Sequence, residues 1–220
     1  MNWLKSNSLS LVLLGFFLLF LIGHSVAGQR YYNNEQASHG QPAVTYAEFV
    51  KSGEFVETVF ENWESEFLQM GSFVLLTIFL RQKGSAESKK LLGEEENDRK
   101  PRSKSKAADA PGPVRRGGLT LKLYESSLSI ALIVLFLLTF WLHAAGGAAA
   151  TCEDNKVHGE ADCPSTSQYI STSKFWYESF QNWQSEFLAV FSIVVLSIFL
   201  RQKGSPESKP VNSPHYQTGS

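Results

Sequence analysis

One stretch of this chain occurs twice, and that constrains the fold more than any other feature. Asn62-Trp63-Glu64-Ser65-Glu66-Phe67-Leu68 opens the first copy, which continues as an apolar run to Leu80 and ends in Arg81-Gln82-Lys83-Gly84-Ser85-Ala86-Glu87-Ser88-Lys89. Asn182-Trp183-Gln184-Ser185-Glu186-Phe187-Leu188 opens the second, which closes in Arg201-Gln202-Lys203-Gly204-Ser205-Pro206-Glu207-Ser208-Lys209. Equivalent positions lie 120 apart without a gap. Upstream, Ser8-Leu9-Ser10 matches Ser127-Leu128-Ser129, His24 matches His143 and His39-Gly40 matches His158-Gly159, all at an offset of 119. A match this long is a tandem duplication.

Charge is segregated rather than spread. Apolar blocks run over 8–27, from about Phe60 to Leu80, over 121–143 and over 180–200. A helix rises ~1.5 Å per residue, so blocks of about 20 residues match a hydrocarbon core of ~30 Å. Phe67 to Leu80 alone is too short, so that helix has to begin near Phe60 and draw polar residues toward the headgroups. The expected fold is an all-α integral membrane protein, with four transmembrane helices in two parallel two-helix repeats. Its parts are a first repeat (1–84), a charged disordered linker (85–118), a second repeat (119–205) and a disordered tail (206–220). The linker has three prolines and no aromatic residue, too little apolar surface to offset its chain entropy.

Lys5, the first apolar block and Ser25-Val26-Ala27 also fit a secretory signal with its cleavage site. The internal counterpart at 127–143 favours a retained helix, and cleavage stays open as the alternative. All Lys and Arg residues except Arg30, Lys51, Lys156 and Lys174 fall in the segments on one side of the expected membrane. The positive-inside rule then makes both termini and the linker cytoplasmic in a bacterial inner membrane.

The run Glu61 to Met70 and the run Leu80 to Lys89 resemble a family of small bacterial membrane proteins known as a domain of unknown function. The resemblance covers both repeats and the helices before them. It implies a four-helix inner-membrane protein and supplies no activity, substrate or catalytic residue.

The candidate site residues are polar groups at membrane depth. At 100° per residue Asn62, Ser65, Glu66, Gln69 and Ser72 share one arc, Asn182, Ser185, Glu186 and Ser192 the equivalent one, and Glu64 points the opposite way. Lipid cannot satisfy such groups, so the stripes are expected to face the bundle. His24 and His143 come at a depth similar to Glu66 and Glu186, which suits proton exchange or a transient metal site; interfacial anchoring is the plainer reading. Cys152 and Cys163 fall in a loop assigned outside, where a disulfide is expected.

Helix capping accounts for Arg81, Lys83 and Gly84 but not for the recurrence of Glu87 and Ser88 as Glu207 and Ser208. Recent duplication is one explanation and a cytoplasmic partner site another. The near balance of 20 basic and 21 acidic residues argues against a nucleic-acid partner. No Walker loop, HExxH, nucleophile elbow or dinucleotide fingerprint is present, so no catalytic residue, resident metal or cofactor is expected. The expected partners are the bilayer and a second copy or another envelope protein. The expected role is structural, with a small transporter or proton pathway lined by the Glu66 and Glu186 stripes as the alternative.

Overall fold

The computed structural model of the protein describes residues 3–93, 95–101 and 109–219. Glu94 of the acidic run, and Arg102, Lys104 and Lys106 of the expected linker, lie outside the described residues. Among those described the protein is helical, with no strand. The elements are α1 (Trp3–Ser6), α2 (Ser8–Ser38), α3 (Tyr46–Phe49), α4 (Gly53–Phe79), α5 (Gly112–Arg116), α6 (Gly118–Glu125), α7 (Ser127–Val157), α8 (Thr166–Ile170) and α9 (Ser173–Phe199). A single 3-10 turn at Glu96–Asp98 lies between α4 and α5.

Elements of equal length recur in the same order. The helices α2 and α7 have 31 residues each, and α4 and α9 have 27 each. Both long first helices stop at a His-Gly pair whose glycine, Gly40 or Gly159, takes the left-handed conformation (φ 68° and 78°) that ends a helix. Both short helices start from a capping box, Thr45 with Glu48 and Ser165 with Gln168. The Ser52 and Thr172 hydroxyls then accept from the Phe55 and Phe175 amides, each at 3.3 Å, and start the next long helix.

Among the described residues, three helices are long and apolar enough to cross a membrane: Ser8–Ser38, Ser127–Val157 and Ser173–Phe199. The sequence reading expected four. The fourth, α4, is as long as α9 but carries Glu61, Glu64 and Gln69 where α9 has Gln181, Gln184 and Ala189. The apolar part of α4 is the poorer one because Gln69 and Gly71 stand where α9 has Ala189 and Phe191. The long helices also outrun the apolar blocks: α4 starts seven residues before Phe60, and α2 continues eleven residues beyond Ala27.

The chain divides into two compact units, and each takes residues from both halves of the sequence: Met1–Glu61 with Phe140–Trp176, and Asn62–Thr139 with Tyr177–Ser220. The core of the first is Ala144, Ala148, Tyr169 and Phe175, flanked by Phe140 and Ile170. Close helix approach here depends on small residues. A Cβ on Gly53 would overlap the Ala149 and Ala150 backbone, and one on Gly146 would overlap the Glu57 backbone. In the second unit the Ser85 and Ser197 hydroxyls pair at 3.0 Å, and Gly84 N donates to Thr218 Oγ1 at 2.9 Å.

Candidate functional site

The first unit builds one packing arrangement twice. Phe49 lies against Gly28 and meets Phe55 at 5.4 Å between ring centroids, while His24 meets Phe55 at 5.8 Å. Tyr169 lies against Gly147 and meets Phe175 at 5.9 Å, while His143 stacks on Phe175 at 4.7 Å. Each residue of the second set stands 119 or 120 positions after its counterpart in the first. Repeated sequence has given repeated packing.

The chemistry is not repeated. Tyr169 adds a hydroxyl that Phe49 lacks, and it donates to Oε1 of Glu57. Lys174 Nζ reaches the same oxygen at 3.0 Å. A carboxylate oxygen of Glu57 and a ring nitrogen of His143 lie within 4.8 Å of one another. Glu57 is 3% exposed and His143 and Tyr169 are buried, while Lys174 remains half-exposed. The counterparts of Glu57 and Lys174 are Tyr177 and Glu54, so this constellation exists once. A buried carboxylate is costly unless paired and hydrogen-bonded, and here the ammonium and the phenol do both.

The sequence candidates separate between the units. His24 and His143 belong to the first, with His24 exposed and His143 buried. Glu66, Glu186, Asn62 and Asn182 belong to the second. Glu66 and Asn62 are exposed, Glu186 and Asn182 are half-buried, and the charge of Glu66 acts on Glu186. Asn182 Nδ2 donates to the Glu178 carbonyl at 3.1 Å, a contact within its own helix.

Glu64, assigned to the outward side, is instead fully buried and accepts from Trp183 Nε1 at 3.1 Å. The inward line of α4 therefore passes through Glu57, Glu64 and Gly71 at seven-residue spacing. That spacing is legible in the sequence. Glu57 was overlooked because it lies before the expected helix start near Phe60, and Glu64 because polarity alone chose the stripe.

The model of a family described as a domain of unknown function (DUF6766) matches residues 1–220. The chain belongs to this family. No curated protein and no solved structure matches it. Membership bears out the resemblance to a domain of unknown function and adds no activity.

The recurring Arg-Gln-Lys-Gly-Ser-x-Glu-Ser motif is a folded helix end in both copies. Ser88 Oγ accepts from Gln82 N and Ser208 Oγ from Gln202 N, both at 2.9 Å. Ser85 and Ser205 receive the Glu87 and Glu207 amides at 3.1 and 3.2 Å. Arg81 and Arg201 turn back onto the last carbonyls of their helices. Burial, then the charge and the hydrogen bond of Glu207, push the Glu87 carboxyl above its ordinary range. The two lysines differ: Lys89 pairs with Asp98, whereas the buried Lys209 donates to the carbonyls of Gly84, His215 and Gln217. Lost hydration, then Arg201, push the Lys209 ammonium below its ordinary range.

Proposed function

We propose that this is a multi-pass membrane protein of the bacterial envelope, with a structural or interaction role and no enzymatic activity. It would have arisen by fusion of two copies of a two-helix unit. One observation carries the reading: carboxylates from the first half of the chain are received by side chains from the second. Glu57 meets Tyr169 and Lys174, and Glu64 meets Trp183. Such pairs act as glue between helices where lipid offers no partner. The apolar part of α2 supports a lipid environment, since only 6% of its most apolar window is buried against the protein.

The charge distribution favours cytoplasmic termini and linker. That topology requires α4 to cross as well, with Glu64 satisfied by Trp183 instead of by water. Phosphatase fusions test it. Activity is expected after Gln41 and after Glu160, and none after Asp109 or at the C-terminus; an active fusion after Asp109 would reject the topology.

A second reading, a proton or cation pathway, is favoured by the proximity of Glu57 to His143. Flux into proteoliposomes under imposed gradients separates the two. The structural reading expects no proton or cation flux above that of protein-free vesicles. Flux that disappears in Glu57→Gln or in the Glu66→Gln/Glu186→Gln double variant would replace it with the pathway.

A further inference from the structure

His39 and His158 occupy equivalent places, each just past the end of a 31-residue helix, and belong to the same compact unit. Their rings meet edge to face with centroids 5.4 Å apart. Two imidazoles on one tetrahedral ion, bound through metal–nitrogen bonds of about 2.0–2.1 Å, have centroids roughly 5 Å apart. The observed spacing admits a shared ion, and it also lies within the ordinary range of edge-to-face ring contacts.

The tautomer is also suitable. Nδ1 of His39 lies 3.1 Å from the Glu35 carbonyl, and Nδ1 of His158 lies 3.0 Å from the Asp154 carbonyl. A carbonyl accepts only from N–H, so each neutral ring carries its proton on Nδ1 and its lone pair on Nε2, the arrangement found in metal-ligating histidines. Both rings are exposed, so an ion reaches them without any rearrangement of the core.

Acidic side chains complete the setting. Glu35 and Asp154 stand one helical turn before their histidines, giving the same acid-x-x-x-His spacing in each half. Beside them is a cavity of about 370 Å³ lined by His39, Glu35, Glu54, Glu153, Asp154 and Lys174, among others. Acidic residues alone would not define a site. Two imidazoles held edge to face, each with its Nδ1 on a carbonyl, do.

We infer that His39 and His158 bind one divalent transition-metal ion of the zinc class through Nε2, with water completing its shell. The inference is independent of the role proposed above. It requires only that the equivalent histidines of the two halves face each other.

The test uses the full chain in detergent, stripped of metal and titrated with Zn²⁺ and with Co²⁺. The expected result is saturable binding of one ion per chain, with a cobalt visible spectrum of four-coordinate type. His39→Ala and His158→Ala should each weaken binding at least tenfold, while His215→Ala, on the tail, should leave it unchanged. Zn²⁺ should also protect His39 and His158 of the unaltered protein from diethylpyrocarbonate, a readout that needs no variant. Absence of saturable binding, unweakened binding in either histidine variant, or lack of protection would each overturn the site.

Discussion

Phe49 and Tyr169 hold equivalent places: each ring rests on a helical glycine and against a second ring, Phe55 or Phe175. Around Phe49 the ring meets those of Tyr32 and Phe55, at 5.7 and 5.4 Å between centroids. Around Tyr169 one added oxygen meets Glu57, and Lys174 and His143 gather at the same carboxylate. The two halves build this shape twice, and different residues at a few positions place polar chemistry in one of them. The loops beside these rings show the same divergence. Asn33 stands 119 residues before Cys152. Its side chain pairs with both backbone groups of Val44, at 2.8 and 3.1 Å, across the same 11 residues that the Cys152–Cys163 disulfide spans. One loop is closed by hydrogen bonds and the other by a covalent bond.

The largest expected effect is at Glu57. Glu57→Ala removes the carboxylate that receives the Tyr169 hydroxyl and Lys174, and should cost about 3 kcal/mol in unfolding free energy. Changing Tyr169→Phe first, which recreates the apolar copy, should shrink that cost by about 1 kcal/mol or more. Equal costs in the two backgrounds would show that the hydroxyl and the carboxylate are not coupled.

Opening the second loop comes next. Cys152→Ser with Cys163→Ser should cost about 2–3 kcal/mol in the chain-entropy account. Asn33→Ala in the first loop should cost about 1–2 kcal/mol for two lost hydrogen bonds. Chemical unfolding of the two variants in detergent compares the loops directly, and a larger loss at Asn33 would reverse the ranking.

The glycines should separate by a smaller margin. A Cβ on Gly28 would stand 2.9 Å from Phe49 Cζ, whereas one on Gly147 would overlap the Tyr169 ring itself. Gly147→Ala should therefore cost about 1–3 kcal/mol and Gly28→Ala less. Thermal unfolding would contradict this if the order were inverted.

Much of this was legible in the sequence. The offsets of 119 and 120 already specify the paired long helices, their His-Gly ends and the recurring motif. Three things were not legible, each for a physical reason. Hydropathy gives an apolar block but not a helix end, so α4 begins before the expected point and brings Glu57 in. A polar stripe does not reveal which of its neighbours pack inward, so Glu64 was assigned to the wrong face. Serines in a charged segment carry no sign of their partners, and only the folded loop shows Ser88 and Ser208 capping the helix ends.

The smallest expected effect concerns Glu87 and Glu207. A carboxyl whose folded-state pKa is raised contributes stability that is complete below its ordinary value of about 4.5 and lost as pH rises through the raised value. Glu207→Gln removes the neighbouring charge and keeps a hydrogen-bonding amide. It should raise the unfolding temperature slightly at pH 7, with the gain vanishing below pH about 4.5. A gain independent of pH would assign the effect to something other than the Glu207 charge.

The central claim is that each compact unit needs both halves of the chain. Splitting the polypeptide between Pro101 and Asp109 and expressing the two pieces tests it. Together they should co-purify from membranes with the thermal stability of the intact protein, and alone neither should give a cooperative unfolding transition. Two pieces that fold separately and do not associate would contradict the account.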